Sequence, residues 1–506
     1  MKDVVKAKSN ILHFAPFGLW GANYVRDIEV AQTILEKGNH VTWVYCDGTL
    51  PSCEPNPLHN KFICEMCKSI QKKGMDWLKK KNRNIKFIPI AITQKDYKSS
   101  IDRLENLDTV EKVRNFVNDG IDIGRAAYSS TVSYYREPRL EQKHFALLFR
   151  HLQTAYLVYE KFTTMIPVKN FDAIVIFNGR LSAVRPLLRL AKSMEIPVLV
   201  HEVGQDIKHY SITYNTYPHD LKNIHKEIFE LVLSYNENML NEGKLWFENR
   251  IKPSSHRFIK HQKEKFLPYN WSDEDFNLVV FISSEDEFVA IEEWQNPYYA
   301  DQNEGLRKLL EDLKDKNIKV YLRVHPNLSS VLNSQTKAIK ELDDQYGFLT
   351  VIGPDDKVDT YELAKKASIV LTFGSTVGIE SAFLGTPSIT MGQSPYTVLG
   401  STILPINHEQ MIEIILEYKK NGKLPITTKL YPLLGYYYLH KDDENTYMYM
   451  KYAGEKDAVL FYNGKKTDLK SSVGFLFFKL LYRMDKLKNY TIGALIDFTK
   501  KELKSG

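Results

Sequence analysis

The segment Ile369–Ile389 reads Ile-Val-Leu-Thr-Phe-Gly-Ser-Thr-Val-Gly-Ile-Glu-Ser-Ala-Phe-Leu-Gly-Thr-Pro-Ser-Ile, and it constrains the fold more than any other stretch of the chain. An apolar strand turns at Gly374-Ser375-Thr376, a helix opens at Val377-Gly378-Ile379-Glu380, and a second short strand follows Gly385-Thr386-Pro387. Strand, glycine turn, helix and strand in that order are the repeating unit of an α/β sheet. Free backbone N–H groups and the positive end of the helix dipole meet at such a turn, so it can hold a phosphate or diphosphate. Glu380 lies in the first helical turn, where a carboxylate can accept from ribose hydroxyls. A plain strand–turn–helix with no ligand carries the same Gly and Pro punctuation.

The order recurs at the start of the chain. Asn10–Ala15 is a short apolar strand, Pro16–Asn23 a glycine-bearing loop, Tyr24–Lys37 an amphipathic helix that stops at Gly38, and His40–Tyr45 the next strand. The loop lacks a G-x-G-x-x-G fingerprint, so a dinucleotide is not expected there. Strand signals return at Phe171–Phe177 and Pro197–Val203, which deliver Asn178-Gly179-Arg180 and His201-Glu202 to strand carboxyl ends, with Asp206 close behind. Ligands of open α/β sheets bind at those ends. Residues 102–165 read as a helical insertion rich in Tyr and Arg, suited to an acceptor groove or to ordinary helix packing.

A polar, Pro-bearing and Lys-rich segment, Ile251–Asp275, suits an interdomain connection. The next strand, Phe276–Ile282, is followed by Ser283, Ser284 and Glu287, whose hydroxyls and amides fit either a phosphate loop or the N-cap of an acidic helix. Ile318–Val324 is a further strand and carries Arg323, His325 and Asn327 to its end. A histidine there can donate to a diphosphate oxygen or cap the strand.

With 506 residues the chain exceeds the roughly 250–300 at which one core stops growing, so two domains and a tail are expected: 1–262, 263–425 and 426–506. No long apolar run and no signal-like N-terminus are present, which predicts a cytoplasmic protein, including the inner face of the plasma membrane as a location. Residues 465–506 carry ten Lys/Arg against four Asp/Glu, a surplus that accounts for the whole net charge of +6. The rest is balanced, so a nucleic-acid partner is not expected. Val473, Phe477, Leu480, Leu481, Met484 and Leu487 repeat at helical spacing beside Lys479, Arg483, Lys486 and Lys488. That stripe suits peripheral contact with an anionic membrane or docking on the protein's own surface.

All four cysteines, Cys46, Cys53, Cys64 and Cys67, fall within 22 residues. Cys64-Glu65-Met66-Cys67 has the C-x2-C spacing of two thiolates on one tetrahedral ion, and the upstream pair completes four sulfur ligands. A structural zinc is the expectation, with free buried thiols and redox chemistry as alternatives.

Ile369–Ile389, the following Met391–Tyr396 loop, the His325-Pro326 pair and Val358-Asp359-Thr360-Tyr361-Glu362-Leu363 together resemble GT-B glycosyltransferases, in particular bacterial capsule and surface-polysaccharide biosynthesis proteins. The resemblance spans about residues 10–400 and is strongest over 279–396. It implies an α/β fold of two Rossmann-like domains facing a cleft, with a helical insertion and a C-terminal helical tail. It also implies a nucleotide-sugar donor held by Ser283, Ser284, Glu287, Arg323, Asn327, Gly374, Ser375, Thr376, Gly378 and Glu380. A saccharide or lipid-linked saccharide acceptor would meet Asn178, Gly179 and Arg180, with His325 and a base, Glu202 or Asp206, as catalytic residues. Asp273-Glu274-Asp275 precedes its strand, unlike a metal-binding DxD, so no catalytic divalent metal is expected. The E-x7-E spacing fails at Ser388, which leaves retention or inversion open. A CDP-polyol phosphotransferase and a non-catalytic nucleotide- or glycan-binding subunit are the alternative readings.

Overall fold

The computed structural model describes residues 8–252, 266–454 and 457–486. They gather into two compact units. The first comprises the chain up to Tyr134, Glu141–Pro218 and the return from Glu444, and the second comprises Tyr135–Leu140 and His219–Asp443. Residues 219–252, assigned from sequence to the first domain, thus belong to the second unit, and the six-residue segment 135–140 is lent to it from the helical insertion.

The first unit runs β1 (Asn10–Phe14), α1 (Gly21–Glu36), β2 (His40–Cys46), α2 (Lys61–Lys79), β3 (Ile85–Ile90), α3 (Gln94–Leu104), α4 (Val110–Arg114), α5 (Ile123–Tyr135), α6 (Phe145–Thr164), β4 (Ala173–Phe177), α7 (Arg185–Ser193), β5 (Val198–Val203) and β6 (Tyr210–Tyr214). The strand order is β3-β2-β1-β4-β5-β6, parallel except for β6, which closes the edge antiparallel to β5. β4, Ala-Ile-Val-Ile-Phe, is buried at every position, as a parallel strand covered on both faces must be.

α1 holds three buried charged side chains within four positions, Arg26, Asp27 and Glu29, at 1%, 2% and 0% exposure. Buried charges persist only when hydrogen bonds replace water, and each has its own set. Asp27 Oδ1 accepts from His13 Nε2 at 2.9 Å and His201 Nε2 at 2.7 Å, reaching strands β1 and β5 at once. Glu29 accepts from the Met448, Tyr449 and Met450 amides at 2.7–2.8 Å. Arg26 donates to the Tyr447 and Tyr452 hydroxyls at 2.8 and 3.0 Å.

The second unit runs α8 (Leu221–Ser234), α9 (Glu237–Ile251), β7 (Asn277–Phe281), α10 (Gln302–Leu313), β8 (Lys319–Arg323), α11 (Ser334–Gln345), β9 (Leu349–Ile352), α12 (Thr360–Lys366), β10 (Ile369–Thr372), α13 (Val377–Leu384), β11 (Ser388–Thr390), α14 (His408–Asn421) and α15 (Pro432–His440). Its order is β11-β10-β7-β8-β9, all parallel. Period-two alternation sends Leu278 and Val280 into a core with α10, α11 and α14, and sends Val279 and Phe281 to the opposite face against α12.

Past residue 443 the chain returns to the first unit. The tail expected to be helical over 426–506 starts with α15, which belongs to the second unit, and past residue 443 continues as a small antiparallel sheet of β12 (Met450–Tyr452), β13 (Ala458–Tyr462) and β14 (Lys465–Thr467). Asn463 and Gly464, both at positive φ (47° and 74°), form the two-residue turn that matches strand twist. Residues 473–486 are then helical. Phe475, Phe478 and Tyr482 pack on the first unit's core, while Val473, Phe477, Leu480 and Met484 of the expected stripe stay exposed, so the helix docks through residues outside that stripe. Leu487 and Lys488 lie outside the described residues. Two Rossmann-like α/β units with a C-terminal return to the first follow the order along the chain that the GT-B resemblance implies. No helix among the described residues is long and apolar enough to cross a membrane.

Burial holds the His151 imidazole down to about 3, and Thr131 Oγ1 lies 2.9 Å from its Nδ1. Between about pH 6.5 and 3 the unfolded chain therefore binds a proton that the folded chain refuses. The stabilising effect of keeping this group neutral is full above about pH 6.5 and is lost as the pH falls, by up to about 1.4 kcal/mol per unit. We expect His151→Gln to flatten the stability–pH curve of the first unit between pH 6.5 and 4, as read by urea denaturation. An unchanged slope would contradict this.

Candidate functional site

In the second unit the strand order reverses between β7 and β10. The loops leaving two strands at such a switch point diverge to opposite faces and open a crevice at their carboxyl ends. β7 delivers Ser283 and Ser284 to that edge, β10 delivers Gly374, Ser375 and Thr376, and β8, paired with β7 at Phe281 and Arg323, delivers His325 and Asn327. The donor residues read from the sequence are thus assembled by one sheet.

The β10–α13 turn is shaped by two glycines. Gly374 has φ 126°, and a Cβ there would sit 2.4 Å from the Gln393 carbonyl. A Cβ on Gly378 would sit 2.6 Å from Tyr396 Oη, which itself donates to the Ser375 carbonyl at 2.7 Å. The Met391–Tyr396 loop thereby props the turn from behind, while residues 374–377 stay half-exposed at the start of α13.

His325 Nδ1 accepts from the Asn327 amide at 3.1 Å, which leaves the ring hydrogen on Nε2. Burial lowers its pKa to about 4, so it is a neutral donor at physiological pH, and the Arg136 and Arg323 charges act in the same direction against Asp286. Arg136, on the lent segment, donates through Nε to Asp286 Oδ2 at 2.9 Å, through Nη1 to the Asn327 carbonyl at 2.7 Å and through Nη2 to Ser284 Oγ at 3.1 Å. Ser284 is therefore engaged within the loop, and Asn327 Nδ2 donates to Glu287. Arg323 points away from the loops, at the Gly353 and Asp356 carbonyls. Glu380 is 1% exposed and accepts from Arg250 Nε at 2.7 Å. Sequence reasoning missed Arg136, Asp286 and Arg250. Arg136 stands in the noted Tyr-Arg-rich stretch, but nothing local marks it as a partner of residues about 150 positions away.

In the first unit Asn178 adopts φ 60° and donates from Nδ2 to Glu202 Oε2 at 2.8 Å, while Gly179 follows at φ 80°. Arg26 Nη1 lies 3.8 Å from Glu202 Oε1. Arg180 donates to Ser129 Oγ at 3.0 Å. Asp206 is held in a different way. Burial alone would raise its pKa, but the Lys208 and His209 amides and the His209 ring hold it below the usual carboxylate range.

The four thiols occupy one corner, Cys46 at the end of β2, Cys53 in the loop, and Cys64 and Cys67 on α2. Cys46 Sγ accepts from the Gly48 amide at 3.3 Å and Cys64 Sγ from Asn56 Nδ2 at 3.1 Å. Burial pushes the Cys46 thiol up to about 11 and the Cys67 thiol up to about 12. Among the described residues no three of these sulfurs lie within 4.8 Å of one another, whereas His13, Asp27 and His201 do bring their ligand atoms that close.

No protein-family model matches the chain, and neither does any curated protein. Among solved structures it is similar to a Thermosulfurimonas dismutans KpsC, beta Kdo 2,4 transferase, at 12% identity over 59% of this chain and 85% of that one, with a TM-score of 0.33. It is also similar to the UDP-GlcNAc 2-epimerase of Methanocaldococcus jannaschii solved with UDP-GlcNAc and UDP, at 14% identity, 73% and 94% coverage and a TM-score of 0.29. The Neisseria meningitidis UDP-GlcNAc 2-epimerase bound to UDP-GlcNAc gives 11%, 85% and 94%, and 0.29. At this distance strand order defines the fold and the side chains define the chemistry.

Proposed function

We propose that the chain is a nucleotide-sugar-dependent glycosyltransferase of the GT-B type that extends a surface glycan. The observation that carries the reading is that the β7, β8 and β10 loops leave one sheet edge at the second unit's switch point, with a half-exposed helix start after β10 and a neutral imidazole after β8. In this reading the Ser375 and Thr376 amides and the α13 dipole take the phosphates. His325 donates from Nε2 to the leaving oxygen, which lowers the cost of its developing charge without itself changing protonation state. On the acceptor side we assign the base role to Glu202. Asp206 is the weaker base, because three donors already hold its Oδ1 as the anion. Turnover assays against UDP-, GDP-, CMP- and CDP-linked donors test the assignment and separate sugar transfer from polyol-phosphate transfer. His325→Ala should lower turnover with the true donor by on the order of 10²–10³. Near wild-type turnover in that variant, or no turnover by the wild type with any donor, would count against it.

We also propose a structural zinc on Cys46, Cys53, Cys64 and Cys67. Their gathering in one loop–helix corner supports it, although side-chain rotation must close the sulfurs on an ion. Elemental analysis of protein purified without added metal should find one zinc per chain, lost when Cys64 and Cys67 are both changed to Ser. Absent zinc with four titratable thiols in the folded protein sinks the idea.

The helix at 473–486 supports a third proposal, peripheral contact with an anionic membrane that carries the acceptor. Its docked face leaves Val473, Phe477, Leu480 and Met484 exposed next to Lys479 and Arg483. Attraction of about 1 kcal/mol per basic residue should make co-sedimentation with phosphatidylserine vesicles fall as salt rises. Failure of the full chain to sediment at low salt would withdraw it.

A further inference from the structure

Glu380 is the fourth residue of α13, and helical side chains lean back toward the N-terminus, so its carboxylate lies over the Thr376–Val377 turn. It is not presented to solvent. Arg250 Nε donates to Oε1 at 2.7 Å, and the Tyr361 hydroxyl bonds with both side chains; burial raises the Tyr361 pKa, Glu380 adds to the rise and Arg250 opposes it. A ribose ligand would have to displace that buried contact. Arg250 is the more accessible partner, its side chain 27% exposed against 1% for Glu380. It comes from α9, which is anchored to α13 by stacking of Phe247 on Phe383 at 5.2 Å, and its guanidinium lies 4.6 Å over the Trp246 ring. The guanidinium is therefore fixed by a carboxylate and by an aromatic face, with Nε spent on Glu380 and the Tyr361 hydroxyl bonded to the same side chain.

Charge decides what this half-buried cation can do. A helix N-terminus supplies only about half an elementary charge, and a nucleotide diphosphate carries more than one. The other cationic groups at these loops are committed: His325 is neutral, Arg323 faces backbone carbonyls and Arg136 is held by Asp286. Planar guanidinium groups bind phosphate through paired N–H donors, and pre-orientation reduces the entropy lost on binding.

We propose that Arg250 is the phosphate-binding cation of this site and that Glu380 is its positioning residue, not a ribose ligand. The assignment rests on the nucleotide-sugar reading and names the part of the donor that the Arg250–Glu380 pair serves. The test is calorimetric titration of the full chain with UDP, GDP, CDP and CMP, with pyrophosphate, and with the nucleoside and the 2′-deoxy form of whichever nucleotide binds. Arg250→Met should weaken that nucleotide and pyrophosphate about ten- to hundredfold and leave the nucleoside unchanged. Arg250→Lys should recover part of the loss. Glu380→Gln should weaken the nucleotide in the same sense while keeping the wild-type ratio between ribo and 2′-deoxy forms. Because Arg250→Met strands a buried carboxylate, the neutral pair Arg250→Met with Glu380→Gln supplies a second variant expected to fold and to show the same phosphate-specific loss. Unchanged nucleotide affinity in Arg250→Met and in its pair with Glu380→Gln, or a 2′-deoxy ratio that collapses to one in Glu380→Gln, overturns the assignment while the site itself stands. Failure of the wild type to bind any of the four nucleotides or pyrophosphate at millimolar concentration overturns both the site and the assignment.

Discussion

The first unit depends on the hydrogen bonding of one helix. α1 carries Arg26, Asp27 and Glu29 into regions where bare charges would cost several kcal/mol each, and every one of them is satisfied by a residue distant in sequence. Asp27 ties α1 to β1 and β5 through two imidazoles. Burial by itself would raise its pKa, yet His201 and His13 hold it below the ordinary carboxylate value, so it stays an anion. Glu29 and Arg26 fasten the returning chain at 447–452. The antiparallel sheet β12–β14 is too small to stand alone, and these contacts, with Leu460, Leu469 and Phe475 in the shared core, are what make it part of the unit.

The second unit solves a different problem, which is to leave polar backbone exposed at one edge without weakening the sheet. Its five parallel strands are covered on both faces, and at their carboxyl edge the β10–α13 turn keeps residues 374–377 half-exposed. There the Gly374 and Gly378 contacts hold the β10–α13 turn open, and the Arg136–Asp286 pair stiffens the neighbouring β7 loop from a segment that the chain visits long before the rest of the unit. A neutral histidine in such a place donates a hydrogen bond over the whole physiological range, because its titration lies near pH 4.

Local chemistry made much of this readable. Apolar runs marked β1, β4, β5, β7, β8 and β10, four of them closed by Gly, Asn-Gly or His-Pro, and the candidate site residues stand at the carboxyl ends of all but β1. Less apolar strands escaped notice. β3 alternates half-exposed residues and contains a proline, β6 is a Tyr- and Thr-bearing edge strand, and β9 has only four residues. The Asn463-Gly464 hairpin had a plain sequence signal, two residues that tolerate positive φ between short alternating runs, but it was masked by the basic amphipathic stripe that follows it.

Sequence alone determined the elements whose cause is local: strand period, helix punctuation, the glycine turn before α13 and the clustering of the cysteines. Tertiary structure decided which charges meet. Arg26 pairs with Tyr447 and Tyr452, Arg136 with Asp286 and Arg250 with Glu380, across 421, 426, 150 and 130 positions of chain. A charged side chain carries no sign of its partner in its own neighbourhood. Coulomb attraction and desolvation act through space, so the pairing of buried charges is set only once the strands are in register and the helices have packed.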